Sequence, residues 1–310
     1  MTKPRVLSVN TSQERTDCKE AREFVAVDYN GVKGDAHAGP GHRQVSILAR
    51  ESIDRFGAAS GKAVEPGEFA ENITTTNLDL STVGFLDRFI IGSVILEVTQ
   101  IGKKCHRKGN ASSQELGQCI MLREGVFCRV VSGGTIEPGF EVDYQPRPLT
   151  FTIITLSDRA AQGIYEDRSG PRITEIITSF FDDKPWHPHF KALIIPDDQE
   201  KLRRELDQCH KQGIDVIITC GGTGIGPRDI TPEIVSSFCN KIIPGIMEHI
   251  RLKYGHHKPN ALLSRSIAGV KDKTVVYALP GSVGAVTEYM EEILKTMEHI
   301  LFMIHEIDIH

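Results

Sequence analysis

The chain has 310 residues, which is enough for two hydrophobic cores, and its 36 basic against 41 acidic side chains leave a net charge of −5. That balance excludes a nucleic-acid footprint, since the one basic cluster, Lys103, Lys104, Arg107 and Lys108, is short. No apolar run reaches membrane-spanning length, and Lys3 and Arg5 precede only a brief apolar strand rather than a secretory leader, so a cytoplasmic protein is expected.

Along the first half, Val6–Val9, Phe24–Val27, Phe89–Val98 and Val126–Val131 predict short strands. Gly31, Gly34, Gly67, Gly84, Gly92, Gly102, Gly133 and Gly139 punctuate them, and one helix is expected from Ile47 to Phe56. The pattern implies a mostly-β, barrel-like domain. Its salient polar residues are Asp35 and His37 within Gly34–Gly39, then Arg43, then Cys105–His106. Basic neighbours around Cys105 would lower a thiol pKa and suit a nucleophile or persulfide carrier; the alternative is a small buried hydrophobe. The spacing of His37, His42, Cys105 and Cys119 does not match a structural Zn²⁺ site. Cys128 reads as a core residue of its strand, and Cys119 is left open. The seven cysteines are scattered without CxxC pairs, which suits a reducing compartment.

Two prolines in Asp143–Leu149 mark a boundary, giving domains 1–146 and 147–310. Beyond it, Phe151–Leu156, Ala192–Ile195, Val216–Thr219 and Thr274–Leu279 predict buried strands. Between them lie amphipathic helices: Ile173, Ile176, Ile177 and Phe180 share one face, as do Leu202, Leu206 and Cys209, and Pro244–Tyr254 and Ala285–Leu301 add two more. Strands alternating with helices imply an α/β domain of three layers with a mostly parallel sheet, whose ligands sit beyond the strand C-termini. The loop 182–190, with Trp186, His187 and His189, is expected as a solvent-facing connection.

Four segments should meet at that edge: Ser157–Asp158, Asp197–Asp198, the loop CGGTGIGPRD ending at Asp229, and Pro280–Gly281–Ser282. Gly221, Gly222, Gly224 and Gly226 allow sharp turns, and Thr231 followed by Pro232 predicts an N-cap and first helical residue. Such a junction suits an anion, although it carries neither the Walker nor the GxGxxG pattern. Asp198 reads as a helix cap. Asp197 and Asp229 beside a phosphate-binding loop suggest Mg²⁺ held together with substrate phosphates. On residue types alone, the catalytic reading and that of an ordinary α/β connection stand level.

The segments TLSDRAAQG, YEDRSGPRI, LIIPDD, IITCGGTGIGPRDITPE, PGIMEHIR, NALLSRSIAGV and ALPGSVGAV, in this order, resemble the molybdopterin adenylyltransferase family of molybdenum-cofactor biosynthesis. The resemblance covers Phe151 to about Leu294. It implies that family's fold, ATP and molybdopterin as substrates with Mg²⁺, and a homotrimer or a dimer of trimers. Its two catalytic aspartates correspond to Asp197 and Asp229. Gly221, Gly222, Thr223 and Gly224 correspond to the nucleotide cradle. Ser157, Asp158, Ser169 and Gly170 match the region after the first strand, Ser264 and Arg265 an anion-holding segment, and Pro280, Gly281 and Ser282 the rest of the pocket.

In the first half, GVKGDAHAG, GHRQVSIL, PGEFAENITTTNLDL, IGSVILEVTQIGKKCH and GVFCRVVSGGTIEPG resemble the MOSC domain, the module type found at the C-terminus of molybdenum cofactor sulfurases. Its single cysteine corresponds to Cys105, implying molybdenum cofactor binding or sulfur transfer, with a sulfur donor and a molybdate-insertion enzyme as partners. Asp35, His37 and Arg43 would shape the pterin or phosphate side of that pocket, or else fix a turn through hydrogen bonds. The alternative for the whole chain is a cofactor-binding or carrier protein without turnover.

Overall fold

The computed structural model describes residues 2–15, 18–102 and 120–308. They fall into two units, Met1–Arg147 with Pro185–His187, and Pro148–Lys184 with Pro188–His310.

The first unit is built from β1 (Arg5–Thr11), β2 (Glu20–Arg22), β3 (Val25–Asp28), β4 (Gly31–Val32), β5 (Val45–Ala49), α1 (Arg50–Ser60), β6 (Ile73–Thr76), β7 (Arg88–Ile91), β8 (Val94–Ile101), β9 (Val126–Ser132), β10 (Gly134–Ile136) and β11 (Asp143–Gln145). Eight of the strands form one sheet in the order β11-β7-β8-β9-β5-β6-β1-β2, and β10-β3-β4 form a second. The large sheet curls back on itself. The Val6 amide donates to the Phe140 carbonyl at 2.9 Å and the Val142 amide to Pro4 at 3.0 Å, so the segment leading into β11 returns to β1. This is the barrel-like arrangement expected.

Three local expectations are corrected. The run Val45–Ala49 is not the start of a helix but a strand buried at every position, parallel to β6 and antiparallel to β9. A strand covered on both faces is a continuous apolar run, which is what misled the helical reading; the helix begins at Arg50. Phe89–Val98 is likewise not one strand but the hairpin β7–β8, turned at Gly92 with φ +60°, where a side chain is unfavourable. The core gathers Val9, Val45, Ile47, Ile73, Phe89, Leu96, Val98 and Cys128. Each such side chain contributes roughly 1.5–3 kcal/mol when fully buried. Trp186, expected in a solvent-facing loop, is 5% exposed and belongs to this unit.

The second unit comprises β12 (Pro148–Leu156), α2 (Asp158–Ala161), α3 (Ser169–Phe181), β13 (His187–Ile195), α4 (Gln199–Lys211), β14 (Val216–Cys220), α5 (Thr231–Phe238), β15 (Lys241–Ile242), α6 (Pro244–Gly255), β16 (Ile267–Lys271), β17 (Thr274–Leu279) and α7 (Val283–Ile304). The sheet order is β13-β12-β14-β17-β16-β15. β12, β14 and β17 are mutually parallel, whereas β16 and β15, which the sequence reading did not resolve, add antiparallel strands. On one face, Leu202, Leu206 and Cys209 of α4 and Ile234 and Val235 of α5 pack on Ile154, Leu156, Ile217, Val276 and Ala278. On the other face α3 packs beside α7, with Phe181 against Phe151 at 5.9 Å between ring centroids. Three layers result, with the sheet in the middle.

Candidate functional site

The chain leaves β12, builds β13 on one side of it, then crosses to build β14 on the other. A crevice therefore opens beyond β12 and β14, where successive connections part to opposite sides. Pairing brings Thr155 level with Cys220, and Cys220 level with Leu279, so three parallel strands end abreast. The Ser157 amide donates to the Ile195 carbonyl at 2.9 Å, which draws the end of β13 alongside. A pocket of about 320 Å³ occupies this edge, lined by Leu156, Ser157, Asp197, Gly222, Gly226, Pro227, Arg228 and Asp229. Ser157, Asp197, Gly222 and Asp229 are thus brought together as read from the sequence, and Arg228 joins them.

The glycines of the loop serve its own packing. A Cβ on Gly221 would lie 2.3 Å from the Leu156 carbonyl oxygen, at a φ of +111°. On Gly222 it would meet Thr231 Oγ1 at 2.6 Å, and on Gly224 it would meet Asp229 Oδ2 at 2.7 Å. Room for Asp229 and for close passage over β12 is what these positions require. Thr231 is not the N-cap expected: it is the first residue of α5, and its hydroxyl donates to the Gly221 carbonyl at 2.9 Å. Cap duty at α4 falls to Asp198, which accepts from the Lys201 amide at 2.8 Å, leaving Asp197 uncommitted to the helix.

Three carboxylates crowd the crevice. Asp158 Oδ1 accepts from the Asp197 amide at 3.1 Å, and the Asp158 amide points to Asp197 Oδ2 at 3.4 Å. Arg228 Nη1 donates to Asp158 Oδ2 at 3.0 Å. Burial, reinforced by the negative charges of Asp158 and Asp229, pushes the Asp197 carboxyl above the usual carboxylate range, against the opposing pull of the Asp158 amide and Arg228. Asp197 and Asp229 offer hard oxygen donors to one pocket, and no cluster of three metal-ligating side chains occurs among the described residues. That donor set fits Mg²⁺, which is bound by one or two carboxylates with substrate phosphates and water completing the shell.

The remaining residues singled out from the sequence frame the site rather than line it. Arg265 donates through Nε to the Gly224 carbonyl and through Nη2 to the Asp229 carbonyl, both at 2.6 Å, while Nη1 pairs with Glu233. Its own amide donates to the buried Thr223 at 2.9 Å, and Ser264 Oγ bonds Ser266 Oγ at 2.7 Å. Ser169 Oγ donates to the Gly281 carbonyl at 2.7 Å, tying α3 to the turn after β17, where Pro280 ends the strand edge and Ser282 caps α7. Asp167, which sequence reasoning missed, organises this corner. It accepts from the Ser169 amide at 2.9 Å, the Gly170 amide at 3.2 Å and Thr155 Oγ1 at 2.7 Å. Its signal was an aspartate two residues before Ser169–Gly170, an Asx-turn pattern.

Comparison with known proteins places this architecture. The family model of a probable molybdopterin binding domain matches residues 152–299, and that of the MOSC domain matches residues 33–143. A molybdopterin adenylyltransferase of Helicobacter pylori is 33% identical over 153 residues, 49% of this chain and 85% of that relative. One of Pyrococcus furiosus is 37% identical over 161 residues, covering 50% of this chain and 91% of that protein. This chain belongs to the molybdopterin-binding family of molybdenum cofactor biosynthesis. A further member, molybdenum cofactor biosynthesis protein B of Bacillus cereus, is 35% identical over 164 residues, 52% of this chain and 93% of its own length.

The MOSC match lies in the first unit. There Asp35 is buried and serves the turn-fixing role. Its carboxylate accepts from the amides of Ser12 at 3.2 Å and His37 at 3.0 Å, and from Asn72 Nδ2 at 3.1 Å. It also pairs at 2.9 Å with Lys19, which the sequence reading passed over. Burial pushes the Asp35 carboxyl up, but Lys19 and the donated hydrogen bonds outweigh it and hold the group below its ordinary range. His37 is half-buried; burial and then the Lys19 charge depress its pKa against the pull of Asp35. Arg43 is exposed. Cys128 is fully buried and its thiol is pushed far up by desolvation, in keeping with a core residue. Cys105 and Cys119 lie outside the described residues, as does His106.

Proposed function

We propose that residues 147–310 catalyse Mg²⁺-dependent transfer of AMP from ATP to molybdopterin with release of pyrophosphate. We further propose that the N-terminal domain binds molybdenum cofactor or carries sulfur to it on Cys105. The observation that carries the first reading is the meeting of Asp197 and Asp229 in one pocket at the β12–β14 crevice, in a chain of this family.

An oxygen of the molybdopterin phosphate attacks the α-phosphorus of ATP. The bond from that phosphorus to the β-phosphate oxygen breaks, and pyrophosphate leaves with the electron pair. A phosphate monoester is already anionic near neutral pH, so positioning and charge neutralisation carry the rate rather than a general base. Asp197 and Asp229 would hold the Mg²⁺, and the chemistry that ion would supply is charge neutralisation at the leaving group. Gly221, Gly222, Thr223 and Gly224 contribute the nucleotide side, and Ser157 and Asp158 the facing wall. Asp229 is aimed by its own loop, because the Gly226 amide and the Arg265 clamp hold the residue from both ends.

The test is incubation of the purified full chain with molybdopterin and MgATP. AMP-molybdopterin and pyrophosphate should form, and should vanish in D197N and D229N. Undiminished product in those variants would remove the roles given to both aspartates. Tight binding of molybdopterin without any turnover would leave the carrier reading in its place.

A further inference from the structure

The site as described is short of positive charge. Asp197 and Asp229 line a crevice meant to receive a phosphate anion, Asp158 is bonded beside Asp197, and among the described residues lining the pocket Arg228 is the cation. Arg265, the other arginine nearby, has all three nitrogens committed to Gly224, Asp229 and Glu233. Those three bonds fix its guanidinium on the loop.

Arg228 is differently placed. Its side chain is 78% exposed, and Nη1 donates to Asp158 Oδ2 at 3.0 Å. An exposed pair of this kind is weak and readily exchanged. A guanidinium carries five N–H donors in a planar fork that matches two oxygens of a phosphate at once. Asp158 meanwhile spends its other oxygen on the Asp197 amide at 3.1 Å, so its position does not depend on Arg228.

We propose that Arg228 is a substrate-contacting residue that exchanges partners: it pairs with Asp158 while the crevice is empty of anion, and moves onto a substrate phosphate oxygen when substrate enters. This rests on the adenylylation reading and names the group within it that meets the anion. The exchange has two effects. It keeps the empty crevice from presenting three uncompensated carboxylates, and it supplies a charge-assisted, two-pronged contact when the anion arrives. Asp158, released, leaves more negative charge beside Asp197, which favours cation binding at the same moment. The phosphate could belong to the polyphosphate of ATP or to the phosphomonoester of molybdopterin.

Binding is measured by titration calorimetry on the full chain in EDTA, with ATP and with molybdopterin as separate probes, for wild type, R228Q, R228K, D158N and D158N/R228Q. R228Q should weaken at least one probe by about tenfold or more, the usual worth of a hydrogen bond to a charged group. The probe that weakens identifies the phosphate. R228K should restore part of the loss. D158N removes the competing carboxylate charge and should tighten that same probe, while the double variant should bind as weakly as R228Q. A merely structural arginine predicts no tightening in D158N. Wild-type affinity of R228Q for both probes, with wild-type product formation, overturns the role of Arg228 and leaves the adenylylation reading intact. Failure of the wild type to bind either probe or form product overturns both.

Discussion

The Gly226 amide donates to the Asp229 carboxylate at 2.8 Å, so the glycine loop closes on its own acid before any ligand arrives. An N–H that could have served an outside anion instead aims the carboxylate. Gly224 has no Cβ because one would lie 2.7 Å from Asp229 Oδ2. G224A should therefore displace the carboxylate and lower kcat about a hundredfold, the cost of a misplaced catalytic group, while Tm changes little. Wild-type kcat in G224A would show that Asp229 need not sit where the loop holds it.

Arg265 binds loop carbonyls, so its removal should loosen the loop rather than strip charge from a substrate. In R265A, amide hydrogen exchange across Gly222–Asp229 should accelerate relative to wild type. R265K should not rescue it, since an ammonium cannot span the Gly224 and Asp229 carbonyls and Glu233 together. Unchanged exchange with weakened ATP binding would return Arg265 to direct substrate contact.

In the first unit, Lys19 and Asp35 are buried to side-chain exposures of 1% and 2% and paired at 2.9 Å. K19M leaves a buried carboxylate uncompensated and should cost about 3–5 kcal/mol in urea denaturation of that unit. K19M/D35L should recover much of the loss, because no lone charge remains. Equal destabilisation in the single and double variants would mean the pair's charge is not what matters.

Glu292 on α7 gives a pH signature. Burial pushes its carboxyl up, but hydrogen bonds from Lys253 at 2.6 Å, Lys295 at 2.7 Å and His249 at 3.1 Å prevail and bring it from 4.5 down to about 2. A depressed carboxyl stabilises the fold above its unfolded pKa and loses that contribution as pH falls towards the folded value. Stability should decline between about pH 4.5 and 2 in the wild type, with a shallower decline in E292Q. Parallel curves for the two proteins would assign acid sensitivity elsewhere.

Leu252, Leu262 and Leu263 are exposed by 71%, 53% and 54% around α6 and the turn following it. Apolar surface of this kind is what a subunit interface covers. Sedimentation velocity should give a trimer or a dimer of trimers for the full chain, and L252D/L263D should shift it to smaller species. A monomeric wild type would rule out the assembly that the family resemblance implies.

How far the sequence reveals these features depends on what each residue touches. Val216–Thr219 is legible as a strand because a β-branched run follows an aspartate and leads into a glycine loop, and the structure extends it by Cys220 alone. Val45–Ala49 is not, since an apolar run covered on both faces has no period to separate strand from helix. β16 hides behind Gly269, where an added Cβ would lie 2.7 Å from Cys239 Sγ and 2.8 Å from the Lys241 carbonyl oxygen, a tertiary approach with no local mark. Asp197 and Asp229 stand out as carboxylates at strand-end loops. Arg265 acts on the Gly224 and Asp229 carbonyls, main-chain partners that no pattern of side chains records, whereas Asp167 carries the local mark of an Asx turn two residues before Ser169. Lys19 lies in a stretch of polar residues that reads as surface, and its burial follows only from where Asp35 and Asn72 are brought.

The level ends of β12, β14 and β17 carry a further consequence. Slipping β14 by one residue against its neighbours would move its loop about 3.3 Å along the sheet and turn every side chain to the opposite face. Ile217 would leave the α4–α5 layer, and Asp229 would no longer share its pocket with Asp197. No near-miss alignment preserves both the packing and the chemistry. Product formation would then serve as an assay of strand alignment, reporting in one number whether the central ladder has been assembled in its only workable frame.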